Sequence, residues 1–242
     1  MKYLIITDSF KPKNNSGAIM IGDLVNELID NNHDVTVITF KNKKQNVPDI
    51  EEKMLKVVYL NNNLNHRNLF YRALNELTYS KKIIKYLNLY NKNFDCCITF
   101  SPSIFFGKAI NFVKKKYKIK TYLIVRDIFP KWAWDTGIIK SYLIYLFFKY
   151  YEKKLYLSAD FIGIESYKDI NYFRKITKNK NILIENLRNW SNNTISNNNK
   201  KNIFNNSNPI IIYGGNLGYA QDFKNFLLVF LKCKLFLKFN LL

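Results

Sequence analysis

Arg126 and Asp127 stand side by side after the apolar run 121–125, which is typical of a buried parallel strand. Open α/β sheets bind their ligands at the carboxyl ends of such strands. A guanidinium pairs with phosphate or carboxylate, and a carboxylate accepts a hydrogen bond from a hydroxyl. The pair therefore predicts a sugar or phosphate site with Arg126 and Asp127 as catalytic candidates. A local ion pair that caps the strand is the alternative.

A second candidate site lies in the loop 11–17, before the first predicted helix. Ser16 and Gly17 stand at the helix N-terminus, where free N–H groups and the helix dipole attract an anion. Glycine also lets a phosphate approach the backbone closely. Because no complete GxGxxG motif is present, a plain turn between strand and helix is the other interpretation.

Two aromatic features follow the Arg126–Asp127 pair. Trp132 and Trp134 are expected either to stack on a sugar or lipid or to pack in the core. The segment 138–154 places long apolar and aromatic side chains next to lysines, as an interfacial helix on anionic lipid would. A large core helix with a solvated lysine edge is the alternative.

The composition excludes several classes of protein. With 48% hydrophobic residues the chain can bury enough apolar surface to fold, so disorder is excluded. Lys and Arg number 38 against 18 Asp and Glu, a net charge of +20. The lysines are dispersed, whereas a nucleic-acid binder would carry Arg-rich or aromatic-interleaved patches. We therefore predict no nucleic-acid partner and ascribe most of the charge to coding bias.

The three cysteines and two histidines suggest no metal site or disulfide framework. Cys96 and Cys97 should point to opposite faces of one strand, which indicates a reducing compartment. Neither an HExxH nor a P-loop motif occurs. The opening apolar run is too short for a signal peptide, so we expect a cytoplasmic protein.

Strands alternate with helices along the chain, as in a Rossmann-like, doubly wound α/β domain over residues 1–190. Strands are predicted at 2–7, 35–40, 56–60, 95–100, 121–125, 161–164 and 181–184, and helices at 18–30, 69–88, 105–116, 142–157 and from about 168. In the first helix, Ile19, Leu24, Leu28 and Ile29 are expected to face the sheet.

A second, incomplete Rossmann-like unit is predicted at 209–242, after an Asn-rich linker at 191–208. It consists of a strand at 209–213, a turn with Gly214, Gly215 and Asn216, and a helix at 222–231. One strand and one helix cannot close a core of their own.

The segments 16–17, 24–28, 32–39, 101–103, 125–130, 185–190 and 213–222 carry a family resemblance when taken in order. They resemble GT-B glycosyltransferases of glycosyltransferase family 4 (group 1), in particular the bacterial L-fucosamine transferases of O-antigen and capsule synthesis. The sequence NHDVTVIT at 32–39, for example, is similar to the GHEVTVIT turn of the family.

The resemblance implies a retaining transfer of a sugar from a nucleotide diphosphate sugar, with no metal or other cofactor. The implied acceptor is a polyprenyl-diphosphate-linked glycan, which an enzyme peripheral to the inner face of the plasma membrane would reach. It also implies roles for individual residues. Gly17, beside Ser16, would lie near the donor diphosphate, Arg126 and Asp127 would line the cleft, and Gly214, Gly215 and Asn216 would face the cleft from the donor domain.

One departure from the family shapes the functional expectation. The family holds the donor with a Glu-x7-Glu motif, and no Asp or Glu follows Asp222 in this sequence. We therefore expect an N-terminal glycosyltransferase fragment, truncated in its donor domain and inactive alone. The alternative is an acceptor- or membrane-binding module that acts with a separate donor domain.

Overall fold

The computed structural model describes residues 1–42, 46–62, 75–90, 92–178, 180–191, 214 and 222–237. The chain divides into two compact units, residues 1–192 and 193–242. No helix in the described ranges is long and apolar enough to cross a bilayer.

Eight strands of the first unit form one sheet in the order β3-β4-β2-β1-β5-β6-β7-β8. Their bounds are β1 Lys2–Ile6, β2 Asp34–Asn42, β3 Ile50–Glu51, β4 Leu55–Asn62, β5 Cys96–Ser101, β6 Lys120–Val125, β7 Phe161–Ile164 and β8 Leu183–Asn186. All neighbours pair in parallel except β3, which runs antiparallel to β4. The predicted Rossmann-like parallel sheet is confirmed.

Helices connect these parallel strands. Those whose bounds the described residues fix are α1 Ser16–Asp30, α2 Tyr79–Leu89, α3 Gly107–Tyr117, α4 Lys131–Asp135, α5 Tyr142–Tyr156 and α6 Ile170–Thr177, with 3-10 turns at Ile104–Phe106 and Tyr167–Asp169. The N-terminal end of α1 is capped by Asn15, whose side chain accepts a hydrogen bond from the Ala18 N–H at 2.8 Å. The last turn of α3 carries Lys114, Lys115 and Lys116. Their positive charges interact favourably with the negative end of the helix dipole.

Apolar clusters fill both faces of the sheet. On one face, Ile21 and Val25 of α1 pack with buried side chains of β1, β2 and β4, among them Val37 and Val57. On the other face, α2, α3, α5 and α6 contribute to a larger cluster that includes Ile83, Ile110 and Leu155. The two-sided coverage explains why the central strands are continuous apolar runs rather than alternating ones.

Four details differ from the sequence-based expectations. No strand is predicted between 35–40 and 56–60 and no helix between 121–125 and 142–157, where the structure has the two-residue strand β3 and the short helix α4. The last strand of the unit begins two residues later than predicted. Ile19 is 54% exposed rather than buried. The small residues Ala18 and Gly22 lie buried on the inner side of α1, together with Ile21 and Val25.

The adjacent cysteines lie on opposite faces of β5, as predicted. Cys97 is fully buried, and burial raises the pKa of its thiol to about 12. Cys96 is half-buried, and burial also raises its pKa. Both thiols are therefore protonated and unreactive near neutral pH.

In the second unit, the described residues are Gly214, Asp222 and the helix α7, Phe223–Leu237. The helix predicted at 222–231 is thus present and extends six residues further. The predicted strand 209–213 and the linker from residue 192 onward lie outside the described residues. The second Rossmann-like unit accordingly stays a prediction beyond this helix.

Candidate functional site

The carboxyl ends of the strands form one edge at which the strand order reverses. The strands β2 and β4 lie on one side of β1, and β5 to β8 lie on the other, so the crossover point falls between β1 and β5. This is where doubly wound sheets leave a crevice for ligands. The register fixes which side chains emerge there.

Arg126 leaves the sheet at this edge together with two neighbours. Val125 pairs with Ile164, and Ile164 pairs with Asn186. The residues that follow these three positions, Arg126, Glu165 and Leu187, therefore lie side by side at the edge.

Only one of the three guanidinium nitrogen atoms of Arg126 has a hydrogen-bond partner among the described residues. Its Nη1 donates to the Leu187 carbonyl oxygen at 2.9 Å. Its Nε and Nη2 are buried and have no hydrogen-bond partner among the described residues. Burial lowers the pKa of Arg126, while the charge of Glu165 acts in the opposite direction. A buried, charged donor without an acceptor is costly, and an oxygen atom of an anionic ligand would satisfy it.

Trp190 connects Arg126 to the helix α1. The guanidinium carbon lies 5.0 Å from the centre of the Trp190 ring, within the range of a cation–π contact. The indole Nε1 donates to the Met20 carbonyl oxygen at 3.1 Å. Met20 stands about one helical turn after Gly17, so Trp190 joins the two candidate sites predicted from the sequence.

Asp127 lies exposed at the same edge, next to Arg126. The pKa of its carboxyl is raised, first by partial desolvation and second by the charge of Glu165. Two carboxylates close together disfavour each other's ionised forms. The arrangement gives Asp127 a greater tendency to hold a proton than a free aspartate, which suits an acid–base or hydroxyl-binding role.

Side-chain hydrogen bonds within the segment 7–15 stabilise the loop before α1. Ser9 Oγ donates to Asn15 Oδ1 at 2.8 Å, and the Ser9 N–H donates to Thr7 Oγ1 at 2.9 Å. These bonds fix the first turn of α1, where Ser16 is exposed. The first N–H groups of a helix have no partner within the helix, so this end remains an anion-attracting position.

Gly17 packs tightly against the sheet. A Cβ atom at this position would lie 2.9 Å from Phe100 Cε1 and 3.2 Å from Ser9 Oγ. Phe100 is 3% exposed and has no room to move away. The glycine is therefore required by close packing of helix on strand, a requirement that exists whether or not a phosphate approaches it.

A cavity of about 340 Å³ opens beside Asp127. Its walls come from the ends of β5 and β6, from α4 and from α5, and they are mainly apolar; they include Ile104, Phe105, Phe129, Trp132, Ile138 and Phe148. Asp127 and Glu76 are the two carboxylates in this lining. Its position and lining suit an apolar or amphipathic ligand with a polar group near Asp127.

The remaining predicted site residues lie in the second unit. Gly214 is exposed, and a Cβ at this position would meet no atom of the other described residues within 4 Å. Gly215 and Asn216 lie outside the described residues. The described ranges contain no group of three His, Cys, Asp or Glu side chains placed to hold a metal ion.

Two contributors to the edge were not singled out from the sequence. Glu165 follows β7 just as Arg126 follows β6, so the rule that located Arg126 could also have located it. Trp190 lies 64 positions beyond Arg126, and no local pattern signals their contact.

The sequence comparisons found no relatives. No protein-family model matches the chain, and no curated protein sequence matches it.

Solved structures show a partial likeness. A trehalose-6-phosphate structure from E. coli bound with UDP-2-fluoro glucose aligns with a TM-score of 0.48 and 10% identity, over 74% of this chain and 43% of that one. A UGT transferase from Siraitia grosvenorii in complex with UDP gives 0.41 and 10%, over 77% and 50%. An alpha-glucosyltransferase (AGT) in complex with UDP gives 0.42 and 16%, over 74% and 39%.

The chain thus spans half or less of the length of these structures. Every TM-score lies below 0.5, and these likenesses carry no argument about activity.

Proposed function

We propose that this chain provides the acceptor-side domain of a glycosyltransferase that uses a nucleotide diphosphate sugar. The observation that carries the proposal is the guanidinium of Arg126 at the crossover edge of the sheet, because two of its nitrogen atoms are buried and find no partner in the described part of the chain. A diphosphate is a ligand whose oxygens would complete such a group. The ordered series of motifs that resemble glycosyltransferase family 4 supports the same assignment.

Each residue of the edge has a role in this proposal. Arg126 neutralises charge on the diphosphate, and the N-terminus of α1 at Ser16 and Gly17 contributes its free N–H groups. Asp127, whose pKa is raised, accepts a hydrogen bond from an acceptor hydroxyl or exchanges its proton. Gly214, Gly215 and Asn216 of the second unit are proposed to contact the nucleotide sugar donor.

The finer form of the proposal concerns the acceptor and the pathway. We propose a polyprenyl-diphosphate-linked glycan as the acceptor, at the inner face of the plasma membrane, in the synthesis of a bacterial surface polysaccharide such as O-antigen or capsule. L-fucosamine is the proposed sugar. The apolar cavity beside Asp127 supports an acceptor that is in part apolar.

The alternative function is a binding module that recognises the acceptor or the membrane and works with a separately encoded donor domain. The exposed apolar residues of α5 favour this alternative. Both versions share the acceptor-side edge, and they differ in whether this polypeptide ever carries out transfer by itself.

A transfer assay tests the proposal. The purified 242-residue chain is incubated with a labelled nucleotide sugar and a lipid-linked glycan, alone and together with a donor domain that carries the Glu-x7-Glu motif. We expect no transfer by the chain alone and transfer by the mixture, lost when Asp127→Asn is introduced. Transfer by the chain alone would contradict the expectation of inactivity, and no transfer by any mixture would contradict the proposed function.

A further inference from the structure

The helix α5 has an outward stripe of unusual composition. Tyr142, Leu143, Leu146, Phe147 and Tyr150 recur at helical spacing along one side and are 43% to 78% exposed. A solvent-facing helix stripe is normally polar. Here five consecutive positions of the stripe are apolar or aromatic, and it ends in Lys153 and Lys154.

The inward side of the same helix shows why the orientation is fixed. Glu152 is fully buried, and it accepts hydrogen bonds from Lys149 Nζ and, at 2.6 Å, from Tyr172 Oη. Lys149 lies on the same helix, whereas Tyr172 lies on α6. Rotation of α5 to hide its apolar stripe would therefore break the bond from Tyr172 to the buried carboxylate. The apolar surface therefore stays outside in the described structure.

The apolar stripe extends onto the neighbouring helix α4. The Trp134 ring packs against Tyr142 and Tyr145, with centroids 6.1 Å and 4.9 Å apart, and is 36% exposed. Trp132 and Ile138 are similarly exposed, at 38% and 37%. Tryptophan and tyrosine rings at the rim of an apolar surface are typical of residues that lie at a membrane interface.

The charge around this surface is mainly positive. Between residues 131 and 156 there are five lysines and two acidic residues. Asp135 pairs with Lys131 at the surface, and Glu152 is buried, so the outward charge comes from Lys140, Lys153 and Lys154.

A basic hollow adjoins the end of the stripe. Lys154 shares a hollow of about 180 Å³ with Lys81 and Lys108, on α2 and α3. Three lysines that line one small concavity suit a lipid phosphate.

We infer that the α4–α5 surface, defined by Trp132, Trp134, Ile138 and the outward stripe of α5, docks on an anionic phospholipid bilayer. The apolar side chains enter the boundary between headgroups and acyl chains, and the lysines contact lipid phosphates. The cavity beside Asp127 shares Trp132 and Ile138 with this surface, so docking brings a membrane-linked acceptor to the candidate site. The inference deepens the proposed function and rests on it only for the presence of that acceptor.

Vesicle flotation with the full chain tests this inference. Vesicles of phosphatidylcholine with phosphatidylglycerol are compared with phosphatidylcholine alone, at low salt and at about 1 M salt, where the Debye length falls to about 3 Å. We expect binding to the anionic vesicles at low salt, with weaker binding to neutral vesicles and at high salt. No binding to anionic vesicles would overturn the inference.

Matched variants locate the surface. Leu143→Glu combined with Phe147→Glu should reduce binding at least about tenfold, because two apolar side chains leave the membrane and two like charges replace them. The control Leu89→Glu, at a residue that is 79% exposed on α2, should bind as the wild type does.

The variant Lys153→Glu with Lys154→Glu should also weaken binding, because it reverses the charge that contacts lipid phosphates. Its control is Lys175→Glu with Lys178→Glu, which makes the same charge change on the α6 side and should have a smaller effect.

Two further measurements check the folding of each variant and the contact of the tryptophans with the bilayer. Circular dichroism checks that each variant is folded, and quenching of tryptophan fluorescence by brominated lipid reports contact of Trp132 and Trp134 with the bilayer. If the chain instead self-associates through Leu143 and Phe147, as sedimentation would show, the surface is a protein interface and the inference is wrong. None of these measurements requires a sugar donor, so their failure is distinguishable from failure of the transfer assay.

Discussion

The guanidinium of Arg126 lies over the ring of Trp190, with 5.0 Å between the guanidinium carbon and the ring centre. The same guanidinium donates a hydrogen bond to the Leu187 carbonyl oxygen, and the Trp190 indole N–H donates one to the Met20 carbonyl oxygen. The segment after β8 is thus fixed to both the sheet edge and α1. It positions Arg126 and leaves two of its nitrogen atoms for a ligand.

Trp190→Ala should destabilise the first unit more than Trp190→Phe does. The alanine variant loses the ring stack and the bond to Met20, while phenylalanine loses only the bond. We expect losses of about 2 kcal/mol and about 1 kcal/mol in the free energy of unfolding, scaled down from a fully buried tryptophan. Urea unfolding measures both, and equal losses in the two variants would show that the stack contributes nothing.

Two glycines of the same helix should respond in opposite directions to alanine. Gly17→Ala places a methyl group 2.9 Å from the buried Phe100 ring and should cost about 1 to 3 kcal/mol. At Gly22 the nearest atom lies 3.9 Å from the Cβ position, so Gly22→Ala should stabilise by about 0.5 to 1 kcal/mol through helix propensity. Thermal unfolding of the two variants tests the packing; a stabilised Gly17→Ala would contradict it.

Asp127→Asn should make the protein more stable at neutral pH while removing a functional group. The pKa of Asp127 is raised in the folded state, mainly by desolvation. The folded state therefore retains this proton to a higher pH than the unfolded state, and stability falls as pH rises through the folded pKa. The asparagine variant should melt higher than the wild type at pH 7, and the difference should vanish near about pH 3. A variant that melts lower at pH 7 would show that the carboxylate stabilises the fold.

Asp160 is expected to behave in the opposite way. Burial by itself would raise the pKa of Asp160, but hydrogen bonds from Lys114 Nζ at 2.8 Å and the Thr121 N–H at 2.9 Å lower it overall. Its contribution to stability is present above the unfolded pKa and is lost as pH falls through the lower folded value.

We therefore expect Asp160→Asn to cost about 2 kcal/mol at pH 7 and progressively less in acid. Asp135→Asn is the matched control, because the Lys131–Asp135 pair is about half exposed and such pairs contribute about 0 to 1 kcal/mol. Urea unfolding at pH 7 and in acid checks both variants. A pH-independent loss at Asp160 would mean that its charge is not what stabilises the fold.

The sheet and its carboxyl edge could be predicted because they follow from local patterns. Buried parallel strands are apolar runs, and the residue after each run marks the carboxyl edge, which places Arg126 and Asp127 there. The two-residue strand β3 carries no such run. Its pairing with β4 depends on how the chain folds back after β2.

The faces of the helices were harder to predict. Hydrophobic periodicity predicts that Ile19 faces inward, but Ala18 lies buried on the inner side of the helix and Gly17 makes the close contact with Phe100 of β5. In α5 the paired Glu152 lies inside while Leu143 lies outside, which inverts the usual pattern. The contact of Arg126 with Trp190 joins distant segments, so only the fold reveals it.

The central claim is that the free nitrogen atoms of Arg126 bind the diphosphate of a nucleotide sugar. Calorimetric titration of UDP into the wild-type chain, Arg126→Gln and the exposed control Arg174→Gln tests it directly, with thermal unfolding confirming that each variant is folded. We predict weak, saturable binding by the wild type and by Arg174→Gln and no detectable binding by folded Arg126→Gln. Equal binding by all three, or no binding by the wild type, would contradict the account.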